Sequence, residues 1–499
     1  MKVKSVAGLA AVGMLLSSVS VWSLTKPRLE AEPLGGVGGS EPALPEPPQG
    51  PAHPGASFST GRTLMMEGRL GHGKLLSSKD NQTMLLVNVT ADRAGSGAAA
   101  SPLNLAIVVD RSGSMKGRRL QNAIDGARGM VRRLRDGDVV SVVTYNQTAE
   151  VLVSPTTVDS FSRDRVSASL GGITAVGDTC ISCGIDEGMA QLRQRSGGMI
   201  DRILLLSDGE ATAGVRDPEG FRAIGARIRG MGASISSVGV DVDYNERVMN
   251  TLAIESNGRH HFVENAADLP RVFDQELDTL TKSLTKNAEV AIDLAPGVEV
   301  ERVFDRTFRR EGRKLFVPLG TFSAAEEKTL LVALRLPRGA SGERPVADIK
   351  MSYDDLSGGS ALGTRGECQG KLSALLTDNP ADVSEMDPLV TARMLRSQTA
   401  AVLTEANELF ATGKGDEARK RLGARLDDLN KQRADAVARA PAPAKAKLEQ
   451  DFDKQSSALG QANEGFKAPA AGAEAAPGGD RKGKAQVRSN ATKALDFAF

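Results

Sequence analysis

The segment between Leu103 and Leu284 constrains the fold most, because short apolar runs alternate there with amphipathic runs of helical period. The apolar runs are LNLAIVVD, DVVSVVTY, RILLLSD, ASISSVGV and GRHHFVE. Strands that are apolar on both faces and separated by helices are typical of a mostly parallel sheet covered on both sides. We therefore predict a doubly wound α/β domain over residues 101–285.

The residues that follow change to a period of two, which indicates an antiparallel sheet with one solvated face. Apolar side chains alternate in the runs 290–294, 330–336 and 347–353. We predict a β-sandwich-like domain over 286–375. The strand-like run MLLVNVT (84–90) lies in an N-terminal β segment, 59–100, which we expect to pair with the later β domain. The α/β domain would then be an insertion between strands of the sandwich.

The N-terminal region has the features of an export signal followed by a tether. Residues 1–24 carry two lysines and then a charge-free apolar stretch, which predicts a cleaved signal peptide or an uncleaved N-terminal membrane anchor, with a buried helix as the third alternative. Either favoured interpretation places the protein outside the cytoplasm, in the periplasm, at the cell surface or secreted. The Pro/Gly-rich residues 25–58 predict a disordered linker.

The C-terminal region is predicted to be helical and then disordered. Asp387 and Pro388 form a typical helix start, and two apolar stripes follow that are separated by Gly413 and Gly415. These features predict a helical hairpin or bundle over 376–466. The Ala/Gly-rich and then basic residues 467–499 predict a disordered tail.

Composition excludes several classes of function. Lys and Arg number 63 against 62 Asp and Glu, and aromatic residues make up 4% of the chain. A near-zero net charge and few aromatic rings argue against nucleic-acid binding. With four His and three Cys, the chain is also too poor in these residues for a multi-zinc or disulfide-dense scaffold.

Three short motifs carry candidate metal ligands. Asp110, Ser112 and Ser114 alternate in the turn after the first predicted strand of the α/β domain, Thr179 lies in the loop Gly-Asp-Thr, and Asp208 follows the apolar strand RILLLS. Ligands of parallel sheets bind beyond the carboxyl ends of the strands. Carboxylate and hydroxyl oxygens are hard ligands that suit Mg²⁺, which keeps water or substrate in its remaining positions.

These motifs resemble the von Willebrand factor type A (VWA) domain with its metal-ion-dependent adhesion site. The resemblance implies that Asp110, Ser112 and Ser114 are direct ligands and that Thr179 and Asp208 bind directly or through water. The overall order is similar to that of bacterial inter-alpha-trypsin-inhibitor-like and calcium-activated-chloride-channel-like VWA proteins. The competing interpretation, in which the serines cap a helix and Asp208 makes a turn, does not account for the distant Thr179.

The remaining cysteines and histidines leave alternatives open. Cys180 and Cys183 follow Thr179 directly and could form a local disulfide, remain as two reduced thiols, or act as a redox CxxC. Cys368 is left over as a free thiol or an intermolecular link. His260 and His261 fall on a predicted strand, where packing is favoured over metal binding.

Together these features predict an exported, non-enzymatic protein that binds a partner through a divalent cation. Mg²⁺ is favoured, with Mn²⁺ and Ca²⁺ open, and an Asp or Glu of a protein partner would complete the coordination. The alternatives are a VWA subunit of an ATP-driven remodelling or metal-insertion complex and a thiol-disulfide protein that uses the CxxC. The sequence does not specify the partner or the oligomeric state.

Overall fold

The computed structural model describes residues 54–93, 101–195, 198–208, 210–241, 244–357, 363–467 and 481–498. The predicted signal peptide or anchor (1–24) and most of the predicted linker (25–58) lie outside the described residues. Within the described ranges, no helix has both the length and the apolar character that crossing a membrane requires.

The N-terminal strands begin earlier than the sequence predicts. They are β1 (Ser57–Gly61), β2 (Leu64–Leu70), β3 (Lys74–Leu76) and β4 (Asn81–Ala91). The assignment of residues 54–58 to a disordered linker is therefore wrong: 54–56 form a 3-10 turn and β1 pairs antiparallel with β2. The reason is Phe58, whose ring packs directly over the backbone at Gly68 and Gly370, where no side chain intervenes.

The middle of the chain forms the predicted doubly wound α/β domain. Its elements are β5 (Leu103–Asp110), α1 (Arg118–Arg133), β6 (Val139–Tyr145), β7 (Ala149–Thr157), α2 (Ser160–Ser169), α3 (Ile181–Arg193), β8 (Ile200–Ser207), α4 (Pro218–Gly230), β9 (Ser234–Val240), α5 (Glu246–Glu255), β10 (Arg259–Val263) and α6 (Leu269–Thr281). The described strands are ordered β10-β9-β8-β5-β6-β7, and β7 alone among them runs antiparallel to its neighbour. Every residue of β5 is buried, as expected for a central strand covered on both faces.

The strand order fixes where a ligand site can form. From β5, the chain passes to β6 on one side of the strand and later returns to β8 on the other side. This reversal opens a crevice beyond the carboxyl ends of β5 and β8, which is the position that ligands occupy in open α/β sheets. The turns after Asp110 and after Ser207 both lie at this crevice.

The strands of a β-sandwich precede and follow the α/β domain along the chain. The later strands are β11 (Ser283–Leu294), β12 (Glu299–Phe304), β13 (Arg309–Glu311), β14 (Lys314–Ser323), β15 (Glu327–Leu336), β16 (Gly342–Asp355) and β17 (Thr364–Thr377). The described strands form two sheets, ordered β1-β2-β4-β15-β12 and β13-β14-β11-β16-β17-β3. Residues of both sheets contribute to one apolar core. Met84 of β4 lies opposite Ala333 of β15, so the α/β domain is inserted between strands that pair with each other.

The C-terminal part is a helical bundle that packs on the sandwich. The described helices are α7 (Pro388–Ala411), α8 (Gly415–Arg439), α9 (Ala442–Gly465) and α10 (Arg481–Ala498). The Asp387 side chain accepts hydrogen bonds from the backbone N–H groups of Leu389 and Val390 at 2.9 and 3.1 Å, which fixes the start of α7. Val390 packs against Leu86 and Leu331 on the sandwich.

The prediction of a disordered tail over 467–499 is wrong for residues 481–498, which form α10. Residues 468–480 lie outside the described residues. The helix is stabilised by Ala494 and Phe497, which join the apolar core of the bundle, and by Asn490, which is fully buried. Two of its basic side chains, Arg481 and Arg488, pair with Asp241 and Glu246 of the α/β domain and so attach the helix to it.

Candidate metal site

The site is built around Asp110, the last residue of β5, whose side chain is completely buried. Its Oδ1 accepts a 2.8 Å hydrogen bond from the backbone N–H of Ser112. Its Oδ2 accepts hydrogen bonds from Ser207 Oγ at 2.9 Å and from the Tyr145 hydroxyl at 3.3 Å. These donors come from the ends of the two neighbouring strands, β8 and β6, and they hold the carboxylate at the head of the crevice.

A chain of hydroxyls connects this turn to the second carboxylate. Ser112 Oγ and Ser114 Oγ are 3.0 Å apart, and Ser114 Oγ donates a 2.7 Å hydrogen bond to Asp208 Oδ1. The Asp208 side chain has no solvent exposure. The structure therefore brings together four of the five predicted ligands through the hydrogen bonds of Asp110, Ser112, Ser114 and Asp208.

Thr179 lies in the adjoining loop and is buried at the start of α3. The Gly113 N–H donates a 2.9 Å hydrogen bond to the Gly177 carbonyl, which places this loop beside the serine turn. Gly177 has a φ of 84°, and a Cβ there would collide with the Gln147 side chain, so the loop requires glycine. The Thr179 carbonyl accepts hydrogen bonds from the N–H groups of Thr212 and Ala213, which join it to the loop after β8.

The electrostatics of the site fit a cation. Burial, together with the charge of Asp208, raises the pKa of Asp110 to about 6 despite the hydrogen bonds that oppose this shift. Burial likewise raises the pKa of Asp208. Arg119 supplies one positive charge to Asp208, and a divalent ion with a preference for oxygen ligands would stabilise the ionised forms of both carboxylates. Within the described part of the chain, no group of three or more His, Cys, Asp or Glu side chains is arranged to hold a metal.

Three charged residues at the site were not predicted from the sequence. Arg119, in the first turn of α1, donates from Nη1 to Asp208 Oδ2 at 3.0 Å and from Nη2 to Asp241 Oδ2. Asp241 follows β9 directly and also pairs with Arg481 of α10, at 2.7 Å. Arg119 is one of several arginines in α1, and no local motif marks it as part of the site. Its role becomes visible only when the ends of β8 and β9 are placed side by side.

The cysteines beside the site are joined in the structure. Cys180 and Cys183 form a disulfide across the start of α3, with a Cα–Cα distance of 5.3 Å. Cys180 is buried, so its sulfur is shielded from an attacking thiol. Cys368 is a free thiol on β17, and burial raises its pKa to about 11, which makes it a poor nucleophile at neutral pH.

The two histidines on β10 lie apart from the metal site and form hydrogen bonds within the α/β domain. His260 contacts Ser237 Oγ through Nδ1 at 2.9 Å and the Tyr244 hydroxyl through Nε2 at 3.0 Å. His261 Nε2 lies 3.2 Å from a carboxylate oxygen of Glu276. Both therefore serve packing and pairing within the α/β domain.

Comparison with known sequences identifies the family of the α/β domain. Residues 104–275 match the family model described as von Willebrand factor type A domain. An uncharacterized protein of Synechocystis is 25% identical over 268 residues, which are 52% of this chain and 63% of the relative. Human inter-alpha-trypsin inhibitor heavy chain H4 is 24% identical over 231 residues, covering 43% of this chain and 23% of the relative. The matched region thus spans less than two thirds of the length of these relatives.

Comparison with solved structures extends the likeness beyond that domain. The structure of von Willebrand factor type A from Catenulispora acidiphila matches with a TM-score of 0.63 at 17% identity. The match covers 81% of this chain and 92% of that chain, so it includes more than the α/β domain. At this identity, the likeness shows a shared fold. The family resemblance predicted from the motifs is confirmed.

Proposed function

Because residues 104–275 form a von Willebrand factor type A domain, we propose that the protein is a non-enzymatic module that binds a protein partner through a divalent cation. Domains of this family are often involved in adhesion or protein interaction through a bound metal. The proposed ligands, bound directly or through water, are Asp110, Ser112, Ser114, Thr179 and Asp208. The observation that carries the proposal is the pair of buried carboxylates joined by serine hydroxyls at the ends of β5 and β8.

The ligand chemistry favours Mg²⁺, with Mn²⁺ as an alternative ion of similar preference. Hydroxyl oxygens are neutral donors, so two carboxylates supply the negative charge of the set. A metal held in this way remains electron-poor and can accept a further oxygen ligand. An Asp or Glu side chain of the partner would supply that oxygen.

The surface beside the site offers an apolar contact next to the metal. Val176 is 53% exposed, and its backbone N–H donates a 2.7 Å hydrogen bond to the Arg111 carbonyl, which holds it against the serine turn. An exposed valine at this position would contact an apolar side chain that neighbours the acidic residue of the partner. We propose that this contact contributes to the choice of partner.

We also propose that the protein is exported from the cytoplasm, on the basis of its N-terminal sequence. A charge-free apolar stretch after two lysines is typical of a secretion signal. N-terminal sequencing of the protein from its native source, combined with cell fractionation, tests this point. A protein with an intact N-terminus in the cytoplasmic fraction would contradict it and would favour the ATP-driven cytoplasmic complex.

The central experiment measures Mg²⁺ binding by isothermal titration calorimetry on the full chain. We expect binding by the wild type and no detectable binding by Asp110→Ala. Asp178→Ala is the matched control, because Asp178 is an exposed carboxylate in the adjoining loop and its loss should change the affinity by less than about threefold. Equal Mg²⁺ binding by the wild type and Asp110→Ala would overturn the proposed site.

The second experiment tests whether the metal serves partner binding. The wild type and Asp110→Ala are used to capture proteins from native extract, each with Mg²⁺ and with chelator. A true partner is captured by the wild type with Mg²⁺ and is lost both in chelator and with Asp110→Ala. A partner that binds equally in all four samples would show that another surface performs the binding.

A further inference from the structure

A row of alternating charges runs from the C-terminal helix to the candidate metal site. Arg481 of α10 pairs with Asp241 Oδ1, and Asp241 Oδ2 pairs with Arg119. Arg119 then pairs with Asp208 Oδ2, at 3.0 Å. Asp208 is the residue whose other oxygen accepts the hydrogen bond from Ser114.

Arg119 is placed to divide its charge between two carboxylates. Its Nη1 donates hydrogen bonds to Asp208 and to the Ser114 carbonyl, and its Nη2 donates one to Asp241. The Asp208 side chain is buried and the Arg119 side chain is partly exposed, so their attraction is less screened than that of a fully exposed pair. A guanidinium is always charged and presents its donors in a fixed fork, which suits it to bridge two carboxylates.

We propose that Arg119 is a positioning residue that sets the metal affinity of the site by competing for Asp208, and that Asp241 and Arg481 adjust this competition. The proposal rests on the proposed function, because it assumes that Asp208 serves the metal. The guanidinium of Arg119 neutralises the charge of Asp208, which is one of the two carboxylates of the site. The metal must therefore bind against the positive charge of Arg119.

The direction of each effect follows from the row of charges. Removing Arg119 leaves Asp208 fully available and raises metal affinity. Removing the charge of Asp241 leaves Arg119 with Asp208 as its remaining carboxylate in the row, which strengthens that pair and lowers metal affinity. Removing Arg481 takes away one cation that competes with Arg119 for Asp241, which draws Arg119 towards Asp241 and away from Asp208 and raises metal affinity.

The test measures the Mg²⁺ dissociation constant of the full chain by calorimetry. For Arg119→Met, we expect affinity to rise about tenfold, equivalent to about 1.4 kcal/mol. Arg118→Met is the matched control, since Arg118 is the exposed neighbour with the same charge and should change affinity by less than about twofold. Arg119→Lys keeps the charge without the fork and should fall between the wild type and Arg119→Met.

Asp241→Asn and a double variant separate this mechanism from a general field effect. Asp241→Asn alone should weaken Mg²⁺ binding about threefold. In the Arg119→Met background, Asp241→Asn should have no further effect, because its influence acts through Arg119. If Asp241→Asn weakens binding equally in both backgrounds, the competition mechanism is overturned.

Arg481 tests the link to the C-terminal helix. Arg481→Met should strengthen Mg²⁺ binding about twofold, whereas the exposed neighbour Lys482→Met should leave it unchanged. The effect of Arg481→Met should also disappear in the Arg119→Met background. Equal effects of Arg481→Met and Lys482→Met would remove α10 from the proposal.

The failures of the two proposals are distinguishable. If Mg²⁺ binding does not depend on Asp110, the proposed function fails before any arginine variant is measured. If binding depends on Asp110 but is unchanged by Arg119→Met, the site stands and the competition proposal is overturned. Should Arg119→Met fail to fold, as judged by circular dichroism, Arg119→Gln, which also removes the charge but keeps polar atoms, replaces it in the single and double variants.

Discussion

Asn490 of α10 donates a 3.0 Å hydrogen bond from Nδ2 to Oδ1 of Asn407 on α7. Asn407 in turn donates from its own Nδ2 to the Val487 carbonyl, at 3.0 Å. Asn490 has no solvent exposure, and Asn407 is also buried. A buried polar pair of this kind is costly to break, because the partner that remains loses its hydrogen bond without gaining water.

We therefore expect Asn490→Ala to lower the free energy of unfolding by about 1–3 kcal/mol. The measurement is urea unfolding of the full chain, followed by circular dichroism. Lys482→Ala is the control on the same helix, and as a surface substitution it should change stability by less than about 0.5 kcal/mol. If the two variants unfold at the same urea concentration, the hydrogen bond between Asn490 and Asn407 does not contribute to the stability of the fold.

Metal binding should appear as a change in thermal stability. A ligand that binds the native state stabilises it by RT ln(1 + [L]/Kd), so a site with millimolar affinity gains about 1–2 kcal/mol at about 10 mM Mg²⁺. The melting temperature of the wild type should therefore rise modestly with Mg²⁺, and that of Asp110→Ala should not. Ser112→Ala removes a neutral oxygen and should retain part of the rise.

Two outcomes would contradict this expectation. A melting temperature that rises equally in Asp110→Ala would place the bound Mg²⁺ elsewhere on the protein. A larger loss with Ser112→Ala than with Asp110→Ala would mean that the carboxylate is not the main ligand. Differential scanning fluorimetry of the three proteins with Mg²⁺ and with chelator distinguishes these cases.

The insertion of the α/β domain predicts how fragments behave. A fragment spanning 101–285 contains all of the described parallel sheet with its helices, so it should fold by itself. A fragment spanning 286–375 lacks β4, which pairs with β15 along its full length. We expect this fragment to lack a cooperative unfolding transition, and mixing it with a fragment that contains β1–β4 should restore one. Cooperative unfolding of 286–375 alone would contradict the prediction.

The sequence identifies the residues of the candidate metal site because each part of the site lies in a short local motif. Asp110, Ser112 and Ser114 lie within one turn, and the apolar runs that end at Asp110 and Ser207 identify the two strands on which the carboxylates depend. The strand order that brings them together follows from the general rule for doubly wound sheets. The register of the strands and the charged residues Arg119, Asp241 and Arg481 are seen only in the structure.

The parts that the sequence does not predict depend on contacts between distant segments. Phe58 belongs to a strand because two glycines leave room for its ring, and Gly370 is far away in sequence. Residues 481–498 are basic and follow an Ala/Gly-rich run, so local composition predicts disorder. Their helix forms because Arg488 pairs with Glu246 of the α/β domain and Phe497 joins the bundle core, which no local pattern reveals.

The pH dependence of stability should carry a contribution from His260. Burial lowers the pKa of His260 to about 3, and the neighbouring charges of His261 and Arg488 act in the same direction. The unfolded chain holds its histidine near the ordinary value of about 6.5. Between these two values the unfolded state binds more protons than the folded state, so stability rises with pH. The contribution is fully present above pH 6.5 and is lost as the pH falls towards 3.

We expect the wild type to lose about 2 kcal/mol from this group between pH 7 and pH 5. His260→Gln keeps polar atoms near Ser237 and Tyr244 but cannot be protonated in this range. Its free energy of unfolding should be lower than that of the wild type at pH 7, and the gap between the two proteins should narrow or reverse at pH 5. Urea unfolding of both proteins at the two pH values gives the comparison, in which groups common to both cancel. A gap of constant size would show that His260 is not held in its neutral form by the fold.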